Sequence, residues 1–235
     1  MWSSLVVYAP LTLLTFPFPY IIRYRVVTAW PKYHVWLLKI LCNLRYEVEG
    51  LEHLPGGAAI VLAKHQSTYE TFVLNYLFPP YTWVLKRELM WVPFFGWGMA
   101  LLRPIAIDRS SGRKAIGQLI DQGRERLASG LWIVIFPEGT RIPVGKKGRY
   151  RLGGPILAHE TGYPVVPVAH NAGTYWPKRG LIIKPGVVKF VIGPVINSKN
   201  HSAEQIKQLT EDWIEKTVQQ LEGRSEVAEL ITRTK

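Results

Sequence analysis

The sequence predicts an α/β domain with a mostly parallel or mixed central sheet flanked by helices, preceded by an N-terminal membrane-associated helical segment. Three observations lead there. After Tyr46, short apolar runs of strand length alternate with stretches of helical periodicity. Before it, Met1 to Tyr46 contains no acidic residue and is dense in aromatic and aliphatic side chains. The length of 235 residues suits one domain with an appendage and is enough to bury a core. The division falls between residues 1–45, an anchor, and 46–235, the globular domain.

The anchor begins with an uncharged stretch, residues 2–22, which ends at Arg23 and Arg25. It is just long enough to cross a hydrocarbon core of about 30 Å as a helix. It lacks the basic leader and small-residue cleavage site of a signal peptide. Pro10, Pro17 and Pro19 would bend it, so spanning and re-entrant forms both remain open. The next stretch, residues 26–44, mixes Trp30, Trp36 and Leu37 with Lys32 and Lys39 and reads as an amphipathic interfacial helix. Its basic flank is expected to face the cytoplasm.

In the globular part the expected strands are Ala58–Ala63, Thr82–Leu85, Pro104–Ile107, Leu131–Phe136, Val165–Ala169 and Val187–Ile192. A helix is expected over about Gly112–Ala128. A second opens at a Ser202–Gln205 capping box with Ile206, Leu209, Trp213 and Leu221 on its apolar face. The final dozen residues are polar and expected to fray. In folds of this class, ligands bind at the carboxyl ends of the strands. His65, Lys86, Asp108-Arg109 and the run Phe136–Arg141 each follow a predicted strand, so four exits are expected to converge on one crevice.

Net charge is +12, which favours polyanionic partners such as anionic lipid headgroups or nucleic acid. A second basic cluster is Arg141, Lys146, Lys147, Arg149 and Arg151. The single cysteine, Cys42, excludes an internal disulfide and a multi-cysteine metal cluster.

His65 and Glu70 lie five residues apart. Within one helix they would diverge by about 140°. They meet only if His65 precedes a helix and Glu70 sits in its first turns, which Ser67 and Thr68, good capping residues, permit. The pair then has the form of a general base oriented by an acid. In "FPEGTR", Pro137 and Gly139 permit a tight turn, Glu138 can accept from backbone or from a substrate hydroxyl, and Arg141 offers a planar fork for phosphate.

Here the chain resembles a known family. "KHQSTYE" resembles the H-x4-D motif, and "FPEGTR" the E-G-T-R block, of the glycerolipid acyltransferases that act on 1-acylglycerol 3-phosphate. "KRELMWVPFFGWGM" with "PIAIDR" is similar to the second block, and "YPVVPVAHN" to the proline-containing fourth. The match runs from about Leu51 to Val195. The resemblance implies transfer of a fatty acyl group from a thioester to the 2-hydroxyl of lysophosphatidic acid, giving phosphatidic acid. It makes His65 the base and Glu70 its orienting acid. Arg141 and Lys86 bind the acceptor phosphate with support from Arg109, and Glu138, Gly139 and Thr140 belong to the acceptor site. Ser67 is then a cap, no metal or resident cofactor is implied, and backbone amides near the helix start are the candidate oxyanion donors. The co-substrate is an acyl-carrier-protein or coenzyme A thioester. The partners are a membrane lipid acceptor and an anionic membrane surface, with no nucleic acid, at the cytoplasmic face of a bacterial inner membrane. The sequence departs from the motif in one place: Glu70 stands where the family has aspartate. That leaves a different lyso-lipid acceptor as the near alternative. A non-catalytic basic module binding membrane or nucleic acid is the remote one.

Overall fold

In the computed structural model, which describes residues 2–178, 180 and 182–233, the chain opens with a helical hairpin. Helices α1 (Trp2–Leu13) and α2 (Tyr20–Leu41) pack against each other, joined by turns that carry Pro17 and Pro19. The apolar stretch 2–22 therefore does not form one helix. No described helix is long and apolar enough to cross a membrane. α2 holds Tyr24, Thr28, Val35 and Leu38 in the interior and leaves Tyr33, Trp36, Ile40 and Leu41 exposed.

The rest alternates strands and helices: β1 (Leu44–Glu49), β2 (Ile60–Ala63), α3 (Tyr69–Leu77), β3 (Tyr81–Lys86), α4 (Phe95–Ala100), β4 (Ile105–Ile107), α5 (Arg113–Ala128) and β5 (Trp132–Ile135). Then come α6 (Gly153–Thr161), β6 (Val165–His170), α7 (Ala172–Tyr175), β7 (Gly186–Ile192) and α8 (Ala203–Arg233). One seven-stranded sheet has the order β1-β7-β6-β2-β5-β3-β4. Every pairing is parallel except β6 with β7, so the sheet is mixed. β2, β5 and β6 are buried throughout and are continuous apolar runs, the pattern of strands covered on both faces.

All six expected strands form. β1 is an addition: its side chains alternate between buried or half-buried and exposed, as suits an edge strand. Among the described residues it pairs with β7 alone. The capping box is present, with Ser202 N–H donating to Gln205 Oε1 at 2.8 Å and Gln205 N–H to Ser202 Oγ at 3.2 Å. The buried face of α8 is Ile206, Thr210, Ile214, Val218 and Leu221, while Leu209 is exposed. The expected face slipped because Thr210, a polar residue, occupies the core stripe. The helix backbone continues through the expected fraying segment to Arg233; Thr234 and Lys235 lie outside the described residues.

Because β6, β2, β5, β3 and β4 run parallel, their carboxyl ends lie along one edge of the sheet. His65, Phe136–Arg141, Lys86 and Asp108-Arg109 leave from that edge. The four predicted exits share it.

Candidate active site

His65 lies in the loop between β2 and α3, and Glu70 is the second residue of α3. The junction brings His65 Nδ1 to 2.8 Å from Glu70 Oε1. The carboxyl is fully buried. Glu70 also accepts from the amides of Gln66, at 3.1 Å, and Ser67, at 2.9 and 3.0 Å. Burial alone would raise its pKa. The His65 hydrogen bond, the nearby His170 and His65 rings and the Ser67 amide outweigh burial and hold it below the usual carboxylate value. An ionised Glu70 accepts only, so Nδ1 carries the proton and Nε2 keeps its lone pair. Among the described residues nothing hydrogen-bonds Nε2. The imidazole stacks on Phe136, with ring centroids 3.9 Å apart and planes 12° from parallel, and Phe136 stacks on Trp83. One imidazole nitrogen is thus fixed by an acid, and the ring plane is fixed by an aromatic stack.

The "FPEGTR" segment leaves β5, the neighbour of β2. Gly139 takes φ +70°, the left-handed conformation its turn requires. Glu138 is buried, and its Oε2 accepts the His65 amide at 2.8 Å. Its Oε1 pairs with Lys64 Nζ at 2.7 Å. Of the two acceptor roles open to Glu138, the backbone one is present. Burial pushes this carboxyl up to about 7 against the pull of Lys64. The Ile142 amide donates to the His65 carbonyl at 2.8 Å. Both polar groups of the His65 peptide are therefore held by residues 138–142. Nothing in the sequence pointed to this link, because its members lie 73 or more residues apart.

Arg141 is half-buried and Thr140 exposed, on the same loop. Lys178 Nζ donates to Thr140 Oγ1 at 3.2 Å and to the Arg141 carbonyl at 3.0 Å, a cation at the loop that sequence reasoning missed. Lys86 ends β3, two strand positions from β2, about 10 Å across the sheet. It pairs with Glu88 at 2.8 Å, both more than half exposed. Arg109 opens the short 3-10 turn after β4, one strand further out; its side chain lies outside the described residues.

Ser67 Oγ accepts from the Tyr69 amide at 3.1 Å, a capping role at the start of α3. The amides of residues 66, 67, 69 and 71 are engaged within the loop, which narrows the candidate oxyanion donors near the helix start. His170 is buried at the end of β6, with Nε2 donating to the Lys64 carbonyl and Nδ1 accepting from the Ala172 amide. Burial lowers its basicity, as suits a structural group. His34, His53 and His159 bond backbone carbonyls. Among the described residues no three His, Cys, Asp or Glu side chains stand together as metal ligands would.

Comparison with known proteins bears on this site. The model of the family described as "Acyltransferase" matches residues 45–171, which include His65, Glu70 and Arg141. The 1-acyl-sn-glycerol-3-phosphate acyltransferase of Pseudomonas aeruginosa is 49% identical over 207 residues, 86% of this chain and 80% of that one. The enzyme of that name from Saccharomyces cerevisiae is 33% identical over 79% of this chain and 62% of its own. The crystal structure of the 1-acyl-sn-glycerophosphate (LPA) acyltransferase PlsC from Thermotoga maritima superposes with a TM-score of 0.71, covering 93% of this chain and 95% of that one at 22% identity. That last likeness speaks for the fold. The identity to the Pseudomonas protein speaks for more than the fold, because it extends over most of both chains: this chain belongs to the acyltransferase family, alongside the 1-acyl-sn-glycerol-3-phosphate acyltransferases.

Proposed function

We propose that this chain acylates the 2-hydroxyl of 1-acylglycerol 3-phosphate from an acyl thioester, with His65 as general base. The observation that carries the reading is the Nδ1–Glu70 hydrogen bond, which leaves Nε2 as the basic nitrogen. His65 Nε2 takes the hydroxyl proton as that oxygen attacks the thioester carbonyl carbon. The tetrahedral intermediate expels the thiolate, which receives the proton back from the imidazolium. Glu70 stays ionised throughout and offsets the imidazolium charge. Phosphatidic acid and the free thiol leave.

The acceptor phosphate sits on the carbon next to the reacting hydroxyl. A cation that binds it must therefore lie close to His65. Arg141 meets this best, since the next residue is hydrogen-bonded to His65. Lys86 is second, and its exposed pair with Glu88 is weak enough to yield to a phosphate. Arg109, a strand further out, is third.

The lipid acceptor also gives the hairpin a role. Its turn exposes Leu14, Phe16 and Phe18, and Phe16 lines a cleft of about 300 Å³ with Leu13, Arg23 and Trp97. Exposed apolar side chains beside Arg23 and Arg25 suit the headgroup boundary of an anionic bilayer. In this reading the hairpin lies in the interface, with its basic flank on the cytoplasmic side.

The test is an acceptor and donor panel in mixed micelles. The wild-type chain should acylate lysophosphatidic acid and prefer it to phosphate-free lyso-lipids. His65→Ala should lose about a thousandfold in turnover while folding and micelle binding persist. Equal turnover of phosphate-free acceptors would overturn the phosphate assignment. Retained activity in His65→Ala would overturn the base.

A further inference from the structure

We infer that the C-terminal helix α8 is a positioning element for the proton transfer, holding through Glu215 and Glu222 the two residues that flank His65. Lys64, immediately before His65, is fully buried and still ion-paired. Its Nζ lies 2.7 Å from Glu138 Oε1 and 2.7 Å from Glu215 Oε1. Tyr150 donates its hydroxyl to the same Glu215 oxygen at 2.8 Å, and burial beside Glu138 and Glu215 keeps that phenol protonated. Gln66, immediately after His65, donates from Nε2 to Glu222 Oε1 at 2.8 Å. The other Glu222 oxygen accepts from the Gly145 amide at 3.1 Å, in the loop that follows Arg141.

One face of α8 supplies these contacts. Glu211, Glu215 and Glu222 fall within an arc of about 40° at helical spacing. Glu211 pairs with Lys147 of the same loop at 2.8 Å. The helix is anchored beside and behind these carboxylates: Ile214, Val218 and Leu221 are buried along the adjoining stripe, Ile206 is buried further round, and the Trp213 ring lies where a Cβ on Gly193 would meet it at 2.6 Å. A packed helix thus reaches two irregular loops, one bearing the base and the other the phosphate cation.

Stability alone is a poor reason for a buried lysine between two carboxylates. Charge sets of this kind stabilise little more than apolar residues of equal volume would, whereas breaking one leaves an uncompensated charge. What the set does supply is direction. Through Glu138 it fixes the His65 amide, and through Lys64 it fixes the residue before it. Proton transfer is sensitive to displacements of about 1 Å, so slack in this loop appears as lost turnover.

The inference rests on His65 being the base, and the experiment separates the two. Glu222 is half-buried and meets the site through Gln66 and the Gly145 amide, so Glu222→Ala is the chosen variant, with Glu222→Gln as the conservative partner. Glu222→Ala should lower kcat about tenfold and leave KM for both substrates within about twofold. Its melting temperature should stay near that of the wild type, and Glu222→Gln, whose single amide oxygen can still accept from Gln66 while its NH₂ faces the Gly145 N–H, should recover part of the turnover. Glu215→Gln, which leaves Lys64 with Glu138 alone, should show the same split. His65→Ala runs in parallel: activity retained there defeats the base and leaves the helix untouched. Unchanged kcat in Glu222→Ala, or a kcat loss that tracks the unfolded fraction, overturns the positioning role.

Discussion

Glu70 reaches His65 Nδ1 at 2.8 Å with the same carboxylate that accepts the amides of Gln66 and Ser67. The residue that orients the imidazole therefore also shapes the loop that carries it. Replacing it tests both functions.

In Glu70→Gln an amide oxygen in the Oε1 place keeps the bonds to Nδ1, Gln66 and Ser67, but the NH₂ then faces the Ser67 N–H, and the negative charge that offsets the imidazolium is gone. Turnover should fall by about 10–10²-fold, less than the loss of about a thousandfold in His65→Ala. Glu70→Asp keeps the charge and shortens the reach by one methylene, so it cannot span Nδ1 and both amides without moving the backbone. It should retain more activity than Glu70→Gln. Steady-state kinetics of the three variants gives the order, and a glutamine variant faster than the aspartate one would remove the charge from the mechanism.

Glu138 gives the pH prediction. Burial raises its folded value to about 7, above the ordinary 4.5. The stability linked to this group is therefore fully present below pH 4.5 and is lost as pH rises through about 7. The loss amounts to at most about 3 kcal/mol. Glu70 acts oppositely, stabilising above the ordinary carboxylate value and losing that as pH falls through its lowered one. Burial also lowers His34 and His170, whose contributions are the same in wild type and variant and cancel in their difference. Thermal unfolding of wild type and Glu138→Gln between pH 5 and 8 should show the wild type losing more stability as pH rises. Parallel curves would place the Glu138 carboxyl at an ordinary value.

Arg141 and Lys86 should separate in acceptor binding. A charge-assisted bidentate contact with phosphate is worth about 1.5–3 kcal/mol, or roughly 10–100-fold in KM. Arg141→Ala should raise KM for lysophosphatidic acid by that much, and Arg141→Lys by less, since one fork contact is lost. Lys86→Ala, about two strand spacings from β2, should raise it less than Arg141→Ala. The KM series on one acceptor decides, and a larger effect at Lys86 would move the phosphate toward β3.

The parts of the molecule legible in the sequence are those whose signal is local. Ile60–Ala63 and Trp132–Ile135 are unbroken apolar runs, and the Ser202–Gln205 box lies within four residues. His65 and Glu70 are close enough in the chain for helix geometry alone to say how they must meet. β1 went unread because its alternating pattern, the mark of an edge strand, was not an apolar run. The Lys64 pairs with Glu138 and Glu215 were illegible for another reason. Lys64 and Glu215 are 151 residues apart, and no periodicity connects a strand exit to a helix that far along. Where charge stands inside the fold was visible only after the fold itself.

The N-terminal hairpin supplies the last test. Leu14, Phe16 and Phe18 are each more than half exposed at its turn, an arrangement that gains nothing in water. If these side chains enter a bilayer, each contributes apolar transfer energy, and the basic residues of α2 add attraction to anionic lipid. Changing all three to serine removes that energy at an exposed turn where the fold makes little use of it. Sedimentation with vesicles containing phosphatidylglycerol should show partitioning reduced at least about tenfold. The melting temperature should stay close to that of the wild type, because all three side chains are more than half exposed. Turnover on vesicles should fall with binding, while turnover on a short-chain, water-soluble lysophosphatidic acid should not. Undiminished sedimentation would move the membrane contact elsewhere on the surface, with exposed Trp36, Trp91 and Trp97 the next side chains to change.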